Sequence, residues 1–268
     1  MRTQFVRSRI DRESRGLEIG PSHSPLAPKQ DGYHVDVVDH LDAAGLREKY
    51  RGHGVDLNRI EPVDVVWQGG SLAKAVGKPG CYRWIIASHV IEHIPDVVRF
   101  LQDCEGLLDP SGVLLLVVPD KRRCFDHFQS ITSTGALLDA YHARSEKPSP
   151  GRVFDHFANA VSRGRTESLA WSSFRGGRFR LKHDFADAHH AWVQAQGTDR
   201  YIDVHNWRFT PASFQLLIND LRQLGLIRLA ITSRSVGPGE FYAALSVDAT
   251  VEQPNDRIES LRRISEGQ

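Results

Sequence analysis

Gly16-Leu17-Glu18-Ile19-Gly20-Pro21-Ser22-His23-Ser24 is the stretch on which the reading of this chain turns. Arg15 to Ile19 is an apolar-rich run of strand length, and Gly20 opens a loop directly behind it. A strand feeding a glycine-containing loop and then a helix offers backbone N–H groups to a nucleotide-like ligand. About 20 residues further on, an acid at the end of the next strand can bind both hydroxyls of a ribose. Asp39, closing the run Tyr33 to Val38, stands in that position. The loop does not suit a dinucleotide, because Ser22 and Ser24 replace the later glycines and their side chains hinder close approach of a pyrophosphate.

Working outward, short β-branched runs alternate with helical patterns over the first ~125 residues, the grammar of a parallel α/β sheet. Leu41 to Tyr50 reads as a helix, Val63 to Trp67 as a third strand and Arg83 to Ala87 as a fourth. Trp84-Ile85-Ile86-Ala87 is apolar throughout, as expected of a strand covered on both faces. Val97 to Leu108 carries a helical period, Asp109-Pro110-Ser111-Gly112 turns the chain, and Val113 to Val118 is a fifth strand. The alternation stops at Pro119. From 120 to about 206 the chain is rich in His, Arg and aromatics, including Phe174-Arg175-Gly176-Gly177-Arg178-Phe179-Arg180-Leu181-Lys182-His183. It resumes at Thr210, an N-cap with Pro211 at the first helical position, in a helix that Gly225 ends. Ile227 to Ser233 and Phe241 to Val247 close the sheet as an antiparallel edge.

The bulk numbers narrow the classes. The 268 residues can bury a full core, and a net charge of +1 gives no general attraction to nucleic acid or an anionic membrane. The Arg-aromatic stretch at 174–183 could grip an anion, but in a chain of balanced charge it reads as a solvated edge. The longest apolar run, residues 112–119, is strand-sized, well short of the ~20 residues of a membrane span, and the N-terminus lacks the apolar stretch of a signal peptide. Three cysteines without a CxxC pair favour reduced thiols and a cytoplasmic setting.

Leu17-Glu18-Ile19-Gly20, Val37-Val38-Asp39, Trp84 to His93 and Leu108-Asp109-Pro110-Ser111-Gly112-Val113-Leu114 occur in an order that resembles the Class I S-adenosylmethionine-dependent methyltransferases, closest to their type 11-like small-molecule branch. The likeness spans roughly 15–120 and 205–247. It implies a Rossmann-like, doubly wound, mostly parallel seven-stranded sheet with an antiparallel last strand and a large insertion after strand five. The core would comprise 1–119 and 207–248, a substrate-binding or lid insertion 120–206, and a polar tail 249–268. It also implies S-adenosylmethionine as cofactor, held by Glu18, Gly20, Pro21, Ser22, Asp39, Gln68, Ser88 and His89. An acid is common where Gln68 stands.

Thirteen histidines call for an explanation. His89-Val90-Ile91-Glu92-His93 spells H-x-x-E-H, also seen in a class of zinc peptidases, but a strand directly precedes it. The segment also resembles quinone-biosynthesis O-methyltransferases whose acid-x-x-Glu-His set holds a divalent metal, with His89 in place of the first acid. The preferred reading has no metal: Glu92 and His93 cap and pack the helix after strand four. His205, in Asp203-Val204-His205-Asn206-Trp207, precedes the late helix and either faces substrate or ties the insertion to the core. Histidine suits proton removal from a hydroxyl acceptor, with His205 or His156 as the base and His93 as a further candidate. The expectation is therefore an O-methyltransferase acting on a sugar, glycan or other small-molecule hydroxyl in glycan biosynthesis. Its alternative is a catalytically degenerate binding or scaffold protein of the same fold.

Overall fold

The computed structural model describes residues 1–164, 170–171, 177–247, 249 and 257–267. Seven strands form the main sheet: β1 (Gly16–Ile19), β2 (Val35–Asp39), β3 (Val65–Val66), β4 (Tyr82–Ser88), β5 (Leu108–Pro119), β8 (Leu229–Val236) and β9 (Glu240–Val247). A separate hairpin supplies β6 (Val161–Arg163) and β7 (Phe179–Leu181). The main sheet runs β3-β2-β1-β4-β5-β9-β8, and β9 lies antiparallel between β5 and the edge strand β8. This is the doubly wound, mostly parallel sheet with a reversed last strand that the sequence predicts.

Alternation along the central strands divides the core between two faces. Ile85 and Ala87 of β4, Leu114 and Leu116 of β5, and Phe241 and Ala243 of β9 share one cluster with α4 (Val97–Leu107) and α8 (Pro211–Gln223). Trp84, Ile86, Leu115, Val117 and Tyr242 face the other side, where Phe5 and Val6 of α1 (Arg2–Arg7) and Leu26 and Ala27 cover them. β4 and β5 pair with a bulge between Tyr82 and Trp84, so β5 starts at Leu108, ahead of the predicted Val113. The late helix has the predicted ends. Thr210 and Ser213 cap it reciprocally, and Gly225, at φ 69°, follows the last turn.

One expectation about the first crossover fails. No helix follows β1; residues 20–34 are irregular apart from a short 3-10 turn at Lys29–Asp31. Pro21, Pro25 and Pro28 remove three N–H donors in eight residues, which rules out a continuous helix. Leu41–Tyr50 shortens to α2 (Ala43–Tyr50), capped by Asp42, and the third strand shrinks to two residues, followed by α3 (Leu72–Val76).

Between β5 and α8 the chain forms α5 (Thr134–His142), α6 (Pro150–Asn159), the β6–β7 hairpin and α7 (Phe185–Gln196). α5 belongs to the main core through buried Leu137. α6 and α7 instead share a small core of their own from Val153, Ala191, Ala195 and Val204. Of the Arg-aromatic stretch, Phe174, Arg175 and Gly176 lie outside the described residues, and Arg178 and Arg180 are exposed. The polar tail, for which the sequence predicts either a frayed helix or disorder, carries α9 (Arg257–Ser265), whose Arg257 pairs with Asp220 on α8. Cys81, Cys104 and Cys124 are free thiols. Among the described residues, no helix is long and apolar enough to cross a membrane.

Candidate active site

β1 pairs with β2 on one side and β4 on the other, so the winding reverses between β1 and β4. In open α/β sheets a ligand binds outside the carboxyl ends of the strands at this switch point. The backbone is unusual there. Among the described residues, three non-glycines have positive φ, and two of them, Ser22 (50°) and His89 (55°), follow β1 and β4. Such backbone costs on the order of 1–3 kcal/mol and concentrates at functional sites. Gly20 is also left-handed, at φ 65°, and a Cβ there would come within 3.0 Å of Val90.

The residues expected around a cofactor are drawn together at this edge, with differing freedom. Glu18 is fully buried: Oε1 accepts the Leu26 N–H at 2.7 Å and Oε2 the Ala27 N–H at 3.1 Å. Glu18 therefore holds the loop, in place of the hydrogen bonds that a helix would have supplied. Burial raises its pKa to about 7 against the pull of those two amides. Asp39 is buried; its Oδ2 accepts the Ser22 N–H at 2.9 Å and its Oδ1 the His40 N–H at 2.8 Å. The His40 ring Nδ1 also lies 2.6 Å from Oδ1, so of about four acceptor sites on the Asp39 carboxylate, capacity for a further donor remains. Pro21 is buried, and its carbonyl accepts the Ser24 N–H at 2.8 Å. Gln68 is exposed and donates back to the His40 carbonyl at 3.1 Å. Ser88 ends β4 half-buried, paired with Val117.

His89 leads into a charged network. Its Nε2 lies 2.9 Å from Glu240 on β9 and 3.1 Å from Arg2 on α1, which itself pairs with Glu240. Desolvation works against its protonation, but Glu240 and Glu92 outweigh it and raise its pKa to about 9. Glu240, desolvated but hydrogen-bonded by His89 and Arg2, falls to about 2. The left-handed turn at His89 also breaks the H-x-x-E-H reading. Residues 91–93 form a turn, α4 starts only at Val97, and Asp96, not Glu92 or His93, caps it.

The remaining histidines meet one another. Asn206 N–H and Trp207 N–H both donate to the Glu92 carbonyl, at 2.7 and 3.0 Å. The Tyr201 hydroxyl donates to the His93 carbonyl at 2.9 Å, and the Trp207 indole to the Ile94 carbonyl at 2.6 Å. This clasp sets the His205 ring edge-on to His93, with centroids 4.8 Å apart. His205 Nδ1 lies 2.5 Å from Asp126 Oδ2, and His93 Nδ1 lies 2.8 Å from Asp203 Oδ1. His156 accepts the His205 backbone N–H at 3.3 Å through Nδ1. Desolvation, followed by repulsion from His205, lowers the His156 pKa to about 3, so it is neutral and a weak base.

No local pattern marks the acids that lie against these rings. Asp126 and Glu240 lie in Cys124-Phe125-Asp126-His127 and Gly239-Glu240-Phe241, which carry no motif. Asp126 Oδ1 also accepts from Gln129 Nε2 at 2.6 Å and sits 3.7 Å from Arg208 Nε. Gln129 and Arg208 line a pocket of about 380 Å³ together with Thr132, Arg152, Asp155 and Asn159. A second cavity, of about 320 Å³, lies between α8, the β8–β9 pair and α9, and contains none of these groups.

No family model and no curated protein matches the chain. Solved structures are similar at low identity. The CcbJ methyltransferase from Streptomyces caelestis is 15% identical with a TM-score of 0.44, the alignment covering 91% of this chain and 93% of that one. The Burkholderia thailandensis 1,6-didemethyltoxoflavin-N1-methyltransferase, solved with S-adenosylhomocysteine, is 11% identical with a TM-score of 0.45, covering 92% and 76%. A Rhodobacter sphaeroides protein assigned provisionally to the Zn-dependent alcohol dehydrogenases is 13% identical with a TM-score of 0.46, covering 91% and 88%. At these scores the likenesses do not bear on what this chain does, and the functional reading rests on its own residues.

Proposed function

We propose that this chain is an S-adenosylmethionine-dependent methyltransferase acting on a hydroxyl of a sugar, glycan or other small molecule. One observation carries the proposal: the left-handed Gly20 and Ser22, the acid Asp39 and the left-handed His89 converge at the switch point between β1 and β4. Asp39 would accept the ribose hydroxyls, and the loop from Gly20 to Ser22 would face the methionine end, with Glu18 fixing that loop from beneath. Gln68 and Ser88 flank the same edge. When bound, the cofactor supplies an electrophilic methyl group on a sulfonium.

The chain's task is then alignment and proton removal. Asp126 orients His205 through Nδ1 and leaves Nε2 available, which makes His205 the leading base. His93, oriented by Asp203, is second, and neutral His156 supports His205. Asp126 also links His205 to the polar pocket lined by Gln129 and Arg208, a suitable place for a hydroxyl-rich acceptor. The alternative is a binding protein that has lost turnover; the commitment of both Glu18 oxygens to the loop favours that reading.

Titrating S-adenosylmethionine into the protein by calorimetry tests the central claim. One equivalent should bind, and Asp39→Ala should weaken binding at least about tenfold, the scale of a lost charge-assisted hydrogen bond. No binding by the parent protein would sink the proposal. Binding without methyl transfer to any sugar, phenol or small-acid acceptor would favour the binding protein.

A further inference from the structure

Glu92 is the least explained group in the molecule. Its side chain is fully buried, and neither carboxylate oxygen has a hydrogen-bond partner. A buried carboxylate without partners costs several kcal/mol unless a charge compensates it. His89 Nδ1 is 3.5 Å away, in ion contact but too far for a good hydrogen bond. One ligand atom from each of Glu92, His93 and His205 lies within 4.8 Å of the others.

We infer that Glu92, His93 and His205 form a binding site for a divalent first-row transition ion, zinc above all. Two imidazoles and one carboxylate are the donor set of many such sites, and three protein ligands leave a coordination position open. The surroundings suit that role. Asp126 Oδ2 lies 2.5 Å from His205 Nδ1, the carboxylate-behind-imidazole arrangement that orients metal-binding histidines, and Asp203 Oδ1 lies in ion contact with His93 Nδ1 at 2.8 Å. The ligands are also held from the backbone, because the carbonyls of Glu92 and His93 accept from Asn206, Trp207 and Tyr201. Three acids, Glu92, Asp126 and Asp203, border the site, with Arg208 beside Asp126 and His89 in ion contact with Glu92.

This set differs from the His89-x-x-Glu92-His93 grouping in the sequence. His89 turns through its left-handed backbone to Glu240 and Arg2, and His205 enters from a segment more than 100 residues away. The inference does not depend on methyl transfer. If the site is filled, His205 serves as a ligand and not as a base, and the ion would polarise an acceptor oxygen in its place.

Calorimetric titration of Zn²⁺ into chelator-treated full-length protein, with metal analysis of the product, tests the site. Cobalt(II) supplies a second, spectroscopic readout through its visible d–d bands. One equivalent per chain is expected. Glu92→Gln, His93→Ala and His205→Ala should each weaken binding at least about tenfold and change the cobalt spectrum. Asp203→Asn, a change at an exposed position that spares the buried residues, should weaken binding about tenfold. His189→Ala, on the exposed face of α7, should leave it unchanged. Absence of stoichiometric binding by the parent, or binding that survives all four cluster variants, would overturn the inference. S-adenosylmethionine binding is measured separately, so either result stands without the other.

Discussion

Single side chains show most clearly where a motif and its job part company. Glu18 belongs to the stretch that signals the fold, and the sequence suggests contact with a cofactor; the structure spends both its oxygens on Leu26 and Ala27. The sequence cannot reveal this, because those amides matter only once three prolines have kept the next segment out of a helix. The consequence is measurable. The folded pKa of Glu18, about 7, exceeds its ordinary 4.5, so the folded protein binds more protons between those values and loses stability as pH rises through that window. Above it the cost is complete, about 3 kcal/mol at 1.36 kcal/mol per unit. Glu18→Gln has no such titration. Urea unfolding at pH 4.5 and 7.5 should therefore show the parent losing about 3 kcal/mol relative to the variant. A gap that stays constant would mean that folding does not raise the pKa of Glu18. Asp39 was legible because it needs only the end of a strand. Asp126 and Glu240 were not, because their partners lie 79 and 151 residues away.

Among the elements, β1 and β4 carry the fold, and their contact imposes one strict demand. Gly16 sits opposite Trp84 in the ladder, and a Cβ at Gly16 would lie 2.1 Å from the indole ring. The ring belongs to the cluster beneath α1, held among Tyr33, Ile86 and Leu115, and has nowhere to move. Gly16→Ala should cost about 3 kcal/mol or more by overpacking, read as a lowered Tm. Trp84→Phe removes the offending ring edge, so the double variant should lose less than the sum of the two single changes. Strict additivity would disprove the clash. The strands were readable from their apolar runs and the late helix from its cap, since both signals are local. The absence of a helix after β1 is local too, written in Pro21, Pro25 and Pro28, and the tail helix α9 is held on α8 by Arg257 and Asp220.

For the molecule as a whole, α6 and α7 sit apart from the main core that takes in α5, and the chain returning from them is clasped to the turn after β4. Residues 201–207 bond to 92–94, while α6 and α7 rest on a core of only four buried residues. Units with little buried apolar area open at lower free energy than the main core. Native-state hydrogen exchange should show amides of α6 and α7 opening well before those of β4, β5 and β9, which should exchange only by global unfolding. Trp207→Phe, which removes the indole bond to Ile94, should cost about 1 kcal/mol, and that loss should appear in α6 and α7 first. Uniform protection across all these elements would show that the clasp belongs to the main cooperative unit.

By itself, the sequence located the strands along the chain, the antiparallel pair that closes the sheet, the capped late helix and the acid at the end of β2. These follow from hydrophobic period, turn residues and caps, all written within a few neighbouring positions. Only the tertiary structure decided the partners of individual groups at this edge of the sheet. It committed Glu18 to the loop, bound His89 to Glu240 and Arg2, and brought His205 to Glu92 and His93 across more than 100 residues. The physical reason is that a buried charge takes its partner from whatever the packed chain places within a few ångströms, and that proximity has no local signature.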